Sequence, residues 1–402
     1  MIMKRVIIVG AGASGLMAAI TAARQGAAVT VLEQMEKPGK KLLVTGNGRC
    51  NLTNRKAPEK NTYRGAEEDF VSRVLRKFPA EKTLEFFHGL GLLTRERDGY
   101  IYPYTDQAGS VLEVLMQEIR RLKVKMKYKE RVTEIRQTEE GFAVHTAAWK
   151  YVCDNVILCA GGMAAPQTGS DGSGYELARK CGHSLRPVYP ALVPLKVRGS
   201  IPRMLSGTRN YVKLALEIDG KTVYQDSGEL QWTDYGVSGI VVFQLSRFAA
   251  EALGEQKNVR LHVDMMPEYS RTEIKELMEQ KSACFPEKSA AELLAGVWKE
   301  KIIRAFLKLY GKNRENFCEN AVSFIKNLTL EVTGTKSFEM AQVCAGGVPA
   351  EEICAETLES KIFPGLYLAG ELLDVDGACG GYNLQWAWAS GHIAGSSAGR
   401  KV

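Results

Sequence analysis

The chain has 402 residues, 45% hydrophobic and 25% charged, with 53 basic against 46 acidic side chains and a net charge of +7. That length allows a large core and two or three lobes; the composition is ordinary globular, and the charge is too mild for a nucleic-acid-coating tail while permitting a polyanionic partner. Nine cysteines without one C-x-x-C pair exclude zinc-finger and thioredoxin spacings and point to reduced thiols in a cytoplasmic protein, which makes the sequons at Asn51 and Asn327 accidental.

The first stretch, MIMKRVIIVGAGASGLMAAI, has the apolarity of a signal peptide, but its glycine spacing fits a strand, a turn and a helix. Gly10, Gly12 and Gly15 make G-x-G-x-x-G directly after the apolar strand at 6–9. The first permits a tight turn, the second lets backbone approach a pyrophosphate, and the third lets helix and strand pack closely. Ala13 and Ser14 open a helix whose free N–H groups and partial positive charge face the phosphates. Glu33 ends the next strand, 18 residues after Gly15. A carboxylate there accepts from ribose hydroxyls and repels a 2′-phosphate, which favours FAD or NAD over NADP as the resident nucleotide. Gln34 stands beside it.

KKLLVTGNGRCNLTN follows. No apolar period runs through residues 46–54, so they form a loop rather than a strand or amphipathic helix. Gly46 and Gly48 let the backbone approach a cofactor. Asn47 and Asn51 hydrogen-bond to ring or ribityl atoms. Arg49 pairs with a phosphate, an anionic substrate or a reduced flavin, and Lys40 and Lys41 add positive potential. Cys50 is either a small buried filler or a thiol serving as acid or redox partner.

Further on, RRLKVKMKYKER (120–131) reads as a strand with one solvated basic face. VCDNVILCAGG (152–162) reads as one buried strand running into a Gly-Gly turn, with Ala160 and Gly161 as cofactor contacts there, followed by a turn and amphipathic helix in DGSGYELARKCGHSL. KLALEIDGKTVYQDSGELQW alternates around Asp219-Gly220, a hairpin. SRTEIKELMEQ and AAELLAGVWKEKIIRAFLKLYG have helical spacing, with Pro267 and Pro286 near their boundaries. In the second of these, Lys301, Arg304, Lys308 and Lys312 form either a solvated face or a contact for RNA phosphates.

The C-terminal GLYLAGELLDVDGACGGYNLQWAWASGHIAG gives a strand at 366–369. It continues through Gly370 and Glu371 into a loop carrying Cys379 and Gly381, and then a helix from near Asn383 with Leu384 in its first turn. This is a second strand-to-helix transition with free backbone donors. A ligand touching both chain ends is long, with a pyrophosphate at one helix and a polar ring system at the other. FAD fits; a simple NAD dehydrogenase places its second half-sheet directly after its first. Nucleophile-elbow and phosphate-loop motifs are absent, as is H-E-x-x-H among the five histidines, so neither acyl transfer nor a metal site is expected. No apolar run reaches the length of a membrane span.

Together the glycine fingerprint with Glu33, KKLLVTGNGRCNLTN, VILCAGG and GLYLAGELLDVDGACGGYNLQWAWASG resemble the bacterial FAD-dependent flavoproteins of the HI0933-like group, over nearly the whole chain. That group contains bile-acid-type enone reductases, an aminoacetone oxidase and a 23S ribosomal RNA dihydrouridine synthase. The resemblance implies an α/β fold with a Rossmann-like FAD-binding domain of the two-dinucleotide-binding-domain type (1–190 and 335–402). It also implies an inserted β-barrel-like domain (191–266 and 318–334) and a helical subdomain (267–317). It adds Val132 to the FAD contacts. Where family members often carry Thr, this chain has Cys379 and Cys344; where a family loop often has His, it has Asp234, so no proton-donor role carries over to that position. More distantly, GSDGSGYELARKCG is similar to the segment after the Gly-Gly turn of fumarate-reductase-type flavoproteins, a hint at C=C reduction.

These readings predict a two-step reduction: NADH or NADPH visits and reduces FAD, and the flavin then reduces an activated C=C bond. Cys50, Cys379 and Tyr382 are the proton-donor candidates, with Tyr382 also able simply to cover the flavin. The substrate alternatives are a small or steroid-like enone, uridine in ribosomal RNA, and an amine oxidised by oxygen; a flavin-binding protein without turnover is the remaining class.

Overall fold

The computed structural model describes residues 3–57, 59, 61–312 and 314–400. They form two compact units, one of 1–189 with 342–402 and one of 190–341. No helix among the described residues is long and apolar enough to cross a membrane.

The first unit is built on a five-stranded parallel sheet. Its centre is β1 (Arg5–Val9), with β2 (Ala28–Glu33) and Lys125–Tyr128 on one side and Asn155–Leu158 and Leu366–Leu368 on the other. The Val/Ile run of β1 is buried on both faces, as a central parallel strand must be. The sheet thus takes strands from both ends of the chain, and the last strand is in place only when residues some 210 positions apart meet. Helix α1 (Ala13–Arg24) follows β1, and the C-terminal helix Tyr382–Gly399 lies along it. Their approach is set by Gly391, Gly395 and Gly399 in four-residue steps on one helix face. A methyl group at Gly395 would stand 2.8 Å from Ala18 Cα, and one at Gly399 2.8 Å from Ala22 Cα. Backbone therefore rests on backbone along three turns.

The run at 152–162 departs from the single strand expected. It divides at Asp154 into Lys150–Cys153, antiparallel to Gly141–Thr146, and Asn155–Leu158, parallel to β1. Asp154 pins the switch: its carboxylate accepts from the Arg5 backbone N–H at 2.6 Å and from the Arg5 guanidinium at 2.8 Å. The apolar KLLV forms the short helix α2 (Lys40–Val44).

The second unit contains a closed six-stranded barrel in the order Leu195–Val197, Gly236–Ser238, Lys221–Trp232, Arg209–Ile218, Val259–Asp264, Leu328–Thr335. Its longest hairpin turns at Asp219 and Gly220 with φ of 48° and 79°, the left-handed pair that a two-residue hairpin loop requires. Helices Arg271–Cys284, Ala290–Leu294, Glu300–Tyr310 and Phe317–Lys326 share one core with the barrel. The helical segment runs on to Lys326, beyond the boundary expected at 317. The helical run expected over AAELLAGVWKEKIIRAFLKLYG is broken by Gly296, with φ of 78°, into two helices.

Candidate functional site

At the C-terminal edge of the parallel sheet, β1 hands over to α1 through Gly10. Its φ of 100° and its closeness to Cys159, whose carbonyl would meet an added Cβ at 2.5 Å, admit glycine alone. Ala160 lies against the same point. Gly15 rests on the Gly10 backbone. Gly12 by contrast faces open space, with nothing within 4 Å of a notional Cβ. It caps α1 without any side-chain hydrogen bond, so the helix offers its first N–H groups outward. Glu33 is 8% exposed. Its carboxylate accepts from Ala11 N at 2.7 Å and Met35 N at 2.8 Å, which fixes the side chain at the end of β2. Gln34 donates to Gly169 O at 2.6 Å, and Gly161, with φ of 72°, abuts Ser170. Val132 is buried in the antiparallel strand Val132–Thr138.

The C-terminal motif meets this turn directly. A Cβ on Gly370 would lie 2.6 Å from Ser14 Oγ, while Gly370 N donates to Ser390 Oγ at 2.9 Å and Gly370 O accepts from Trp386 Nε1 at 3.0 Å. Lys41 on α2 bonds Glu371 Oε2 at 2.7 Å, and the other carboxylate oxygen accepts from Cys344 N at 2.7 Å. Lys40, one residue earlier, is half-buried. Two residues expected to contact the cofactor therefore hold each other: Lys41 and Glu371 form a clasp between the nucleotide unit and the C-terminal segment.

The G-R-C-N loop proves to be the structural partner of the G-G-Y-N-L-Q segment. Asn51, its amide turned so that Nδ2 donates to Thr53 O and Ile101 O at 3.1 Å, accepts from Gly381 N at 3.3 Å. Asn54 Nδ2 donates to Gly380 O at 2.9 Å. The Thr53 hydroxyl donates to Gln385 Oε1 at 2.6 Å, and Trp388 Nε1 donates to Leu52 O at 2.9 Å. Gln385 is completed by Thr83 Oγ1 at 2.8 Å and by its own bond to Phe78 O at 2.8 Å. Thr53, Asn54, Gln385 and Trp388 were not singled out from the sequence; the available signal was the co-occurrence of the two unusual motifs.

Within the loop, Gly46 and Asn47 are left-handed, with φ of 56° and 53°, and both are exposed, as is Arg49; Gly48, with φ of 83°, is half-buried. Cys50 is fully buried among core residues, where burial pushes its thiol up to about 12. Cys379 is half-buried; burial also raises its thiol to about 12, with Arg64 pulling the other way. Tyr382 is buried, its phenol raised to about 12 by burial, and its ring meets Tyr63 edge-on at 5.8 Å. Asn383 spends its amide on Gly377, accepting from N and donating to O at 2.8 Å each. The Asn383 side chain thus braces the loop that precedes the helix. The helix itself begins at Tyr382, with Leu384 in its first turn. It is capped by Gly381 (φ of 93°) without a side-chain hydrogen bond, so a second set of helix N–H groups is open.

The arrangement fits FAD. It has open space before Gly12, an uncapped helix N-terminus at each of two places in one unit, and a fixed carboxylate at the end of β2 for ribose hydroxyls.

A family model described as HI0933-like protein Rossmann domain matches residues 4–397. The 3-dehydro-bile acid delta(4,6)-reductase of Clostridium scindens is 45% identical, with 99% of this chain and 100% of the relative covered. A ribosomal RNA dihydrouridine synthase of Haemophilus influenzae is 27% identical, with 98% of each covered. Among solved structures, a 3-ketosteroid-delta4-(5alpha)-dehydrogenase from Rhodococcus jostii aligns with a TM-score of 0.49 at 15% identity, covering 99% of this chain and 97% of that one.

Proposed function

Because this chain belongs to the HI0933-like family, we propose that it is a FAD-dependent reductase of activated C=C bonds, acting on a fused-ring enone of the bile-acid or steroid class. The observation that carries the reading is the 45% end-to-end identity to a delta(4,6)-reductase. The cradle formed from both chain ends is consistent with it. When bound, FAD would supply the redox chemistry as a hydride to the electron-poor end of the double bond, leaving one proton for a side chain of this protein to provide.

The residues of this chain have distinct tasks in that scheme. Uncapped N–H groups at Ala13 and Ser14 hold the pyrophosphate, and Glu33 accepts from ribose hydroxyls. The clasp between Lys41 and Glu371 keeps the two halves of the cradle in register. The N-terminus of the helix at Tyr382 would offer its partial positive charge to the negative charge of a reduced flavin. We assign the proton donor to Cys379, which burial holds neutral and which is the half-exposed member of the three candidates. Cys50 is then a packing residue, and Tyr382 a wall braced by Tyr63. NADH or NADPH acts as a visiting reductant.

The ribosomal RNA alternative draws on the family resemblance and on the basic helix, and two of the four cations named on that helix, Lys301 and Arg304, are paired internally. Lys301 donates to Ser206 O at 2.6 Å, Lys299 to Arg209 O, and Arg304 pairs with Glu300. This favours a small substrate. The test is anaerobic mixing with NADH or NADPH followed by a fused-ring 4-en-3-one. Flavin bleaching, reoxidation by the enone and a saturated product are expected; bleaching without reoxidation would refute the substrate class.

A further inference from the structure

We propose that the hairpin Thr94–Arg97/Tyr100–Pro103, with Arg49, forms a platform that selects a flat fused-ring substrate carrying a single carboxylate. The inference rests on the enone-reductase reading and deepens it.

The platform follows from strand geometry. Tyr100 and Tyr102 lie two residues apart on one strand and so share a face, about 7 Å apart along it. Their register partners are Arg97 and Arg95, which places two arginines on that same face. The opposite face carries Ile101, which is buried. The Arg97 guanidinium lies over the Tyr102 ring at 5.7 Å, and that of Arg95 over Tyr104 at 5.2 Å. Tyr100 is 39% exposed, and its ring lies against Gly380. Gly380 neighbours Cys379 and the uncapped helix start, so one end of the platform reaches the proposed site of chemistry. Arg49 sits two residues before Asn51 in the G-R-C-N loop, and that loop is tied to the Tyr100–Pro103 strand by Asn51 Nδ2 and Leu52 N, which donate to Ile101 O at 3.1 and 2.7 Å.

Charge accounting sets the number of anions. Asp106 takes both Arg95, at 2.5 Å, and Arg97, at 2.8 Å. Arg49 is exposed and has no carboxylate partner among the described residues. One uncommitted guanidinium beside two tyrosine faces suits a planar ring system with one carboxylate. A nicotinamide dinucleotide carries at least two phosphate charges and is the poorer match.

The experiment uses the full-length holoprotein, reduced with dithionite so that the source of electrons is irrelevant. It is mixed anaerobically with a fused-ring 4-en-3-one carboxylic acid, its methyl ester and cyclohexenone. The wild type should prefer the acid over the ester. Arg49→Ala should cut that preference about tenfold, with partial rescue by Arg49→Lys. Tyr100→Ala and Tyr102→Ala should weaken both fused-ring probes more than cyclohexenone. Equal shifts for acid and ester in Arg49→Ala, or loss of bound FAD from that variant, would overturn the assignment. If the reduced wild type passes electrons to none of the probes, the reductase reading fails. The platform is then judged by equilibrium binding of acid against ester to the oxidised protein, where no acid preference, or one that survives Arg49→Ala, overturns it.

Discussion

Replacing Gly395 with alanine tests whether the two chain ends are held together by backbone contact. In an open helix this change adds about 1 kcal/mol of stability through propensity. Here the new methyl would stand 2.8 Å from Ala18 Cα and 3.0 Å from Ala18 C, and closer still to the Ala18 carbonyl oxygen. Carbon atoms pack at about 3.5 Å or more, so the helices must part by about 0.7 Å at that turn. Neither side is a flexible side chain, so the strain falls on the backbone, at the upper end of the 1–3 kcal/mol typical of overpacking. Set against the propensity gain, the net loss is about 1–2 kcal/mol. The displacement also reaches Ser14, one turn up α1, so FAD affinity should fall together with stability. Urea unfolding followed by flavin release, with the FAD-to-protein ratio after gel filtration, reads both. Gly109→Ala is the control: that helical glycine is exposed with nothing within 4 Å of a notional Cβ, and its substitution should be neutral or stabilising. A Gly395→Ala protein as stable and as yellow as the wild type would refute the close-packing argument.

His392 stacks on Phe78 at 4.2 Å, and burial, with Lys82 and Arg24 nearby, lowers its pKa to about 4. A base with a depressed folded pKa contributes stability that is whole above about 6.5 and is lost as pH falls toward 4. The loss is about 2 kcal/mol between pH 6.5 and 5. His392→Phe keeps the stack and should flatten that part of the acid limb in urea midpoints; an unchanged pH dependence would count against the burial argument. Gln385→Leu removes the acceptor of two threonine hydroxyls and the donor to Phe78 O. Leaving those groups buried and unpaired should cost about 3 kcal/mol, measured by denaturation, and a loss below 1 kcal/mol would mean the network is not what joins the two motifs. Cys379→Ala should slow enone-dependent flavin reoxidation at least tenfold while leaving the FAD content intact; an unaltered reoxidation rate would move the proton donor elsewhere.

Local sequence determined a good deal of this protein. G-x-G-x-x-G after an apolar strand, with Glu33 at the end of the next strand, specifies the nucleotide turn, because each glycine answers a steric demand within a few residues. Asp219-Gly220 specifies its hairpin for the same reason. Tertiary structure decided the rest. That residues 152–162 divide between two sheets depends on Arg5, about 150 positions away. That Cys50 is buried and Asn383 braces a loop depends on which neighbours fill the space around them. The bonds from Asn51 to Gly381 and from Thr53 to Gln385 span some 330 residues. Periodicity and spacing carry information only over the few residues that share a turn or a pleat. Which distant surfaces meet is fixed by the collective packing of the core, and the paired motifs gain their meaning only when that core has formed.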